Sequence, residues 1–446
     1  MEAVLSLARR VLDHAAGGDG ELEAYVEHRV VTTVQAGADA AVRHVGRADT
    51  RGVGVRAVVG AHVGYASTAD VSDAGLDAVV EHARANADVG DADPAGAALA
   101  CSEPAKQVAG LCLTPLIEMT PDAKIALVTE LARRVTTLDA RVPRLDTAEW
   151  RDEHRRVAVV STTGVSAAYE TAFAELSSDA LGEDGSAGAV DWGYWWGRDP
   201  GAVDVEALAQ EVVGRTVRLL GPVAATRTVD TVLLDPEVSA LLLQAVGRGL
   251  TGSALGNERS PFAGRHGERV AADLLAVVDD GLSTSGPGGA PVDDEGVPRR
   301  RTPLITDGVL VGALHSMATA ASMDASSTGN ARRSSHKAAP RAAPSVLRLA
   351  PSSAGVNVAG EAVYVQQVSG SVAGISAVTG RVSLGGVGYL LRDGEPAGRL
   401  PTLPIATSMR SLLAELVAVG DDARVVAGQS LLAPTLVWRP RKPLIW

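Results

Sequence analysis

Cysteine is nearly missing from this chain: Cys101 and Cys112 are the two thiols in 446 residues. They cannot build a disulfide framework, so a reducing cytoplasm and a fold held by its core are expected. Aromatic residues are also scarce, at 3% against 46% hydrophobic residues overall, which leaves Val, Leu and Ala to fill the interior. Lysine is reduced to Lys106, Lys124, Lys337 and Lys442 among 41 basic residues, a skew attributed to coding composition. No long basic stripe offsets the formal net charge of −12, which argues against nucleic acid as the main partner. No apolar run reaches the ~20 residues a membrane span needs. Residues 1–10 read as an amphipathic helix rather than a signal peptide. The nine histidines stand more than five residues apart, and no H-x-H, H-x-x-x-H or C-x-x-C spacing occurs. A metal site would have to be assembled from distant residues. No Ser/His/Asp or Cys/His arrangement can be singled out, and no G-x-G-x-x-G follows a strand, so a dinucleotide fold is not expected.

What is present is an α+β pattern with an antiparallel bias and flanking helices. The length suits two or three domains. Gly221-Pro222 is read as the boundary, giving an N-terminal α+β domain over 1–222 and a strand-rich domain over 223–446. Helices are expected to about residue 14, over 72–87, from Thr120 with Leu138 on its buried face, and over 204–220 and 408–419. Strands are expected over 24–34, 41–45, 52–59, 62–67, 156–162, 165–176 and 187–196. Further strands follow over 228–234, 346–349, 362–368, 375–378, 382–384, 387–391 and 435–438. Asp307-Gly308, between 303–306 and 309–314, is the strongest hairpin signal.

Asp235-Pro236-Glu237 opens the most informative segment with an N-cap, a first-turn proline and a first-turn acid. Val238, Leu241, Leu242, Ala245 and Val246 then mark a buried helical face. This helix resembles the active-site helix of the TldD/PmbA metallopeptidase-related family. So do Leu250–Leu255, Ser260–Ala271, Val277–Asp280, Asp293–Pro298, Ser327–Arg332, Pro344–Leu347, Gly52–Arg56 and Val63–Ser67, in order along the chain. The resemblance implies a two-domain fold with mainly antiparallel sheets. In the family's metal-bearing subunit a His-Glu-x-x-x-His motif on this helix binds zinc, with a further cysteine ligand near the C-terminus. Here Leu243, Gln244 and Arg248 occupy the motif positions, and no cysteine follows Cys112. Leucine has no ligand atom, an amide is no general base and a guanidinium repels a dication. The C-terminal match, Val426–Ser430, also has no thiol nearby.

The resemblance therefore points to the non-metal TldE/PmbA-type subunit, catalytically silent and binding no cofactor itself. It would pair with a TldD-like homologue that carries zinc, complete a chamber and help select an amide substrate, a peptide or peptide-like specialised metabolite. The alternative is a self-associating ligand-binding protein without a peptidase partner. Gln244 and Arg248, four apart on adjoining helical positions, either hydrogen-bond a substrate or fill the vacated metal pocket, the second being the expectation. Trp192, Tyr194, Trp195 and Trp196 hold three of the six tryptophans. Trp192, Tyr194 and Trp196 share one strand face, either packed in a core or forming a wall for ligand or partner. Thr328, Asn330, Arg332 and Arg333 begin a basic loop read as bordering the shared cavity. Asp293-Asp294-Glu295-Gly296 and Asp279-Asp280-Gly281 are read as turns whose carboxylates accept backbone N–H groups, with Gly296 supplying an unusual φ.

Overall fold

Alternation over the first half builds one antiparallel six-stranded sheet. Its strands are β1 (Glu21–Ala36), β2 (Val42–Val59), β3 (His62–Thr68), β4 (Ala148–Ser161), β5 (Ser166–Asp184) and β6 (Ala187–Gly197), in the order β3-β2-β1-β4-β5-β6. The computed structural model describes residues 1–445 apart from 186, 225–227, 352–355, 357–359, 370–373 and 427–429. The segments expected at 41–45 and 52–59 are one strand, β2, and the strand expected from residue 156 begins at Ala148. Register explains this: β1 pairs with β2 from Glu21↔Val58 to Ala36↔Val42, so Arg47, Ala48 and Asp49 are drawn into the ladder despite weak intrinsic preference.

Period-two alternation gives this sheet two different faces. On one, Leu22, Ala24, Val26, Val53 and Val55 pack under α1 (Glu2–His14) and α2 (Asp73–Val89). Further along the same face, Val34, Trp150, Ala174 and Leu176 pack under α3 (Thr114–Ile117), α4 (Pro121–Val135) and α5 (Val205–Arg218). The Thr120 side chain caps α4 by accepting from Ala123 N. That helix stops at Val135, where the Thr136 and Thr137 hydroxyls bond back to the Ala132 and Arg133 carbonyls. Leu138, expected to be buried, is therefore exposed. The opposite face of the sheet, through Tyr25, Val157, Val159 and Tyr169, packs on Ala290, Val292 and Val297 of the second half.

The second half contains a six-stranded and a seven-stranded sheet, mainly antiparallel. Leu347–Leu349 runs parallel to Leu431–Ala433 in the first, and Val232–Leu234 parallel to Glu361–Ser369 in the second. Both sheets share one core with α6 (Pro236–Gly249), which joins Leu234, Leu242, Leu347, Val363 and Leu431. The fold class is thus α+β with mainly antiparallel sheets, as the sequence implied. The expected hairpin is present, with Asp307 at φ 48° and Gly308 at φ 73° and Thr306 opposite Val309, but its second strand ends at Leu310. Residues 382–384 and 387–391 belong to one strand, Arg381–Arg392, and within 375–378 only Ile375 makes a bridge, to Val382. The helix expected over 408–419 covers only Met409–Ala414. Leu416–Val419 is a strand, because pairing with Leu436–Trp438 overrides helical spacing. Among the described residues no helix is long and apolar enough to cross a membrane.

Candidate functional site

The helix α6 is held at its start by residues from both halves. Asp235 Oδ1 accepts from Glu237 N at 2.9 Å, as an N-cap should. Its Oδ2 accepts from Arg215 Nη1 of α5 and from the Tyr364 hydroxyl, each at 2.9 Å. Arg215 also lies 3.4 Å from Asp191 at β6. Two residues on, the Tyr194 hydroxyl donates to Glu237 Oε1 at 2.5 Å. Burial pushes the Glu237 carboxyl above its ordinary range, against the opposing pull of this hydroxyl and of Arg424. Tyr194 therefore links the first sheet to the first turn of α6.

The zinc-motif positions on this helix diverge. Leu243 is 2% exposed and lies in the core, while Arg248 is exposed with no acidic partner among the described residues. Gln244 is half-buried. Five residues of α-helix separate Leu243 from Arg248, a rotation of roughly 140°. The expectation of a filled pocket is corrected for Arg248, whose side chain is exposed rather than replacing an inner cation. The buried face also differs from the spacing estimate, since Leu241 is half-buried and Leu243 takes the inner position. These side chains do not fit a zinc ion. The end of α6 is closely packed as well, since a Cβ on Gly247 would stand 2.6 Å from Leu347 Cδ2.

The aromatic strand splits by face. Trp195 stacks on Trp150 inside the first half, with centroids 6.1 Å apart. Trp196 stacks on Phe173 at 5.9 Å, with the Arg198 guanidinium over its ring. Trp192 is 41% exposed. The sequence-predicted group thus holds one junction residue, two half-buried rings, of which Trp195 packs against the core, and one exposed ring, not a continuous wall.

The basic loop lies on the first sheet. Arg333 is buried and paired with Glu23, its backbone N–H donates to Asp294 at 2.7 Å, and its guanidinium covers the Tyr25 ring at 5.1 Å. Arg332 is exposed and donates to Ser430 Oγ at 2.9 Å. Asn330 is buried, donating to Asp279 at 2.7 Å and to Ser345 Oγ at 3.2 Å, and Thr328 Oγ1 donates to its amide oxygen at 2.7 Å. Thr328 and Asn330 therefore tie the loop to Asp279, which lies in the strand Val277–Asp280 and not in the turn expected there, and Arg333 ties it to the first half.

That tie is part of a buried ionic junction. Arg56 of β2 donates to Glu23 at 2.6 Å and to Glu295 at 2.9 Å, and all three side chains are about 1% exposed. Arg155 of β4 donates to Glu27 at 2.6 Å and to the Tyr25 hydroxyl at 2.5 Å, and stands 3.6 Å from Asp294. Tyr169 donates to Asp294 at 3.1 Å. Asp293 accepts from the N–H groups of Glu295, Val297 and Ala331, each at 2.9 Å, which is the turn role expected of it. Gly296 completes the turn at φ 84°, and a Cβ there would meet Val165 Cγ1 at 2.3 Å. Burial and the neighbouring Glu295 push Asp293 up to about 8, while Arg155 and Arg299 help hold Asp294 below the ordinary carboxylate range against its burial. Glu23, Arg56 and Arg155 were not singled out from sequence. Glu295 lies 239 residues from Arg56, so no local spacing connects them.

With this geometry in view, the comparisons fall into place. Models of the PmbA/TldA metallopeptidase domains match residues 22–87 (domain 1), 114–220 (central domain) and 226–439 (C-terminal domain). A metalloprotease TldD homolog of Haemophilus influenzae is 32% identical over 297 residues, and the aligned part spans 64% of this chain and 61% of that relative. Metalloprotease PmbA of Escherichia coli O157:H7 is 22% identical over 306 residues, 68% of this chain and 66% of the relative. The crystal structure of TldE from Thermococcus kodakarensis superposes with a TM-score of 0.88 at 18% identity, covering 99% of each chain, and so shares the fold. The three domain models follow one another along most of the sequence, and the chain belongs to the PmbA/TldD metallopeptidase-like family.

Proposed function

We propose that this chain is the TldE/PmbA-type subunit, the one whose α6 holds no zinc, of a two-subunit zinc metallopeptidase that hydrolyses amide bonds in peptides or peptide-like specialised metabolites. One observation carries the reading. The capped, clamped and packed helix α6 is intact, while Leu243, Gln244 and Arg248 replace every ligand and base of its motif. The relatives fall on both sides, some TldD and others PmbA or TldE, so these side chains carry the assignment to one role. In the pair, a TldD-like homologue holds zinc, which supplies water activation and carbonyl polarisation. This chain contributes a wall of the chamber. The junction of Glu23, Arg56, Glu295 and Arg333 keeps its two halves in fixed relation. Exposed groups such as Trp192, Arg248 and Arg332 are available to partner or substrate.

The test is to tag the chain in its native cells and identify what co-purifies in near-equal amount, with zinc measured on the same sample. The expected result is a homologue with an intact His-Glu-x-x-x-His motif, and zinc in the pair that falls by one equivalent per homologue when that motif is removed. A chain that associates only with itself, and whose omission leaves the homologue's activity unchanged, overturns the reading in favour of a self-associating binding protein.

A further inference from the structure

The helix-bearing face of the first sheet is not covered uniformly. One apolar cluster lies under α1 and α2 and the other under α3, α4 and α5. Between them the alternation places polar side chains on the same face: His28, His154, Arg156 and Glu170. Register makes the last three neighbours, because β4 and β5 pair His154 with Ala172 and Arg156 with Glu170. A third contributor comes from outside the hairpin. Beyond Ala174, β6 no longer pairs with β5, and the segment before α3 lies along the free edge, with Ala172 N donating to Leu111 O at 2.8 Å. Arg198 fixes that segment further, donating to the Leu111 and Ala172 carbonyls at 2.7 and 2.6 Å. The next residue is Cys112.

The three side chains converge on one point. Cys112 Sγ stands 3.8 Å from His154 Nε2, and Glu170 Oε2 stands 3.4 Å from the same nitrogen. All three ligand atoms lie within 4.8 Å of one another. A tetrahedral zinc ion with bonds of about 2.3 Å to sulfur and about 2.1 Å to nitrogen and oxygen gives edges of about 3.6 Å for S···N and about 3.4 Å for N···O. The two measured edges fit. A nucleophilic relay does not, because an orienting acid would hold the second imidazole nitrogen, whereas thiol and carboxylate here share Nε2. The nearest competitor is Arg156, whose Nε lies 3.3 Å from Glu170 Oε2. Metal binding at Oε2 requires Arg156 to pair with the second carboxylate oxygen instead. His154 lines another cavity with His28 and Arg156, while Cys112 and Glu170 line a cavity of about 440 Å³ with Ser102, Gln107 and Ala168.

We propose that Cys112, His154 and Glu170 form a binding site for one zinc-class divalent transition-metal ion, separate from α6, with its fourth position facing this cavity. The thiolate, imidazole and carboxylate set favours zinc or cobalt over magnesium or calcium, which require oxygen ligands. Three protein ligands with one open position leave room for water or an exogenous ligand.

The test uses the full chain, stripped with a chelator and titrated with Co²⁺ and then Zn²⁺. One equivalent of Co²⁺ is expected to produce a thiolate-to-cobalt charge-transfer band that one equivalent of Zn²⁺ removes. Cys112→Ser should abolish the band, and His154→Ala or Glu170→Gln should weaken binding by about 10- to 100-fold or more, at least the loss typical of outer-shell changes. Cys101, which is exposed, supplies an internal control that needs no variant. Zn²⁺ should slow alkylation of Cys112 and leave that of Cys101 unchanged. Absence of a thiolate band, a band that survives in Cys112→Ser, or equal alkylation of both cysteines with and without Zn²⁺ overturns the proposal. Metal-free melting of each variant at the parent temperature shows that lost binding is not lost folding.

Discussion

The helix α6 and the β4–β5 hairpin differ in what they keep. The first retains the place of a zinc motif, with Asp235 capping it and Arg215 and Tyr194 clamping it, but Leu243 points into the core and Arg248 away from it. The second has no motif spacing, yet its register and a strapped edge segment bring a thiol, an imidazole and a carboxylate to one point. In α6 the spacing of the motif is kept, but the side chains that would ligate are replaced. Pairing between strands assembles ligands with no sequence proximity at all.

Substitutions sharpen this contrast, and the largest effect belongs to neither element but to the junction that holds them in one molecule. Glu23→Ala leaves Arg56 and Arg333 buried without their shared partner, and should cost about 3–5 kcal/mol by chemical denaturation. A loss below about 1 kcal/mol would mean that the two halves do not depend on this ionic contact.

Restoring the motif tests whether α6 still has a pocket. The triple variant Leu243→His, Gln244→Glu, Arg248→His should gain no stoichiometric zinc, because positions 243 and 248 face different surroundings. Burying an imidazole among Leu242, Val363 and their neighbours should also cost about 2–3 kcal/mol. One further tightly held zinc per chain beyond the parent's content, measured by elemental analysis of both, would show that the helix has kept a latent site.

A pH series probes the acidic turn. Asp293 is pushed up to about 8 in the folded chain, above the ordinary carboxylate value near 4. The folded state then holds a proton that the unfolded state has released. Its contribution is full below about pH 4 and is lost as pH rises toward about 8. Denaturation midpoints across this range should fall with a shallower slope in Asp293→Asn, which itself loses about 1–3 kcal/mol because its amide faces a backbone N–H. Parallel slopes would remove Asp293 from the titration. At the small end, Arg248→Ala should change stability by less than about 0.5 kcal/mol, as expected of an exposed residue on α6.

Much of the fold was legible where the signal was local. The Asp235-Pro236 start, the Thr120 cap and the Asp307-Gly308 hairpin each carry their own chemistry within a few residues. The acidic turn at Asp293 was legible as a turn, and Gly296 as its left-handed residue, but not as the buried counterpart of Arg56 and Arg155. Those partners are more than a hundred residues away and meet only after the sheet folds onto the second half. Leu416–Val419 escaped because helical spacing and strand alternation overlap in a short apolar run, and Leu436–Trp438 decides between them. The aromatic strand was located correctly, yet the partners of Tyr194, Trp195 and Trp196 depend on three different neighbours. The His154–Glu170 proximity had a faint signal in the Gly164 turn, which sets the hairpin register. Nothing local pointed to Cys112.

The silent role of α6 is tested most directly by amide hydrolysis in the reconstituted pair, with Gln244→Ala in this chain compared against removal of the motif glutamate in its metal-bearing partner. The account predicts turnover within about twofold of the parent for Gln244→Ala, and loss of at least about 10²-fold for the partner's change. Loss of turnover in Gln244→Ala, in a pair that still assembles and still holds its zinc, would contradict it.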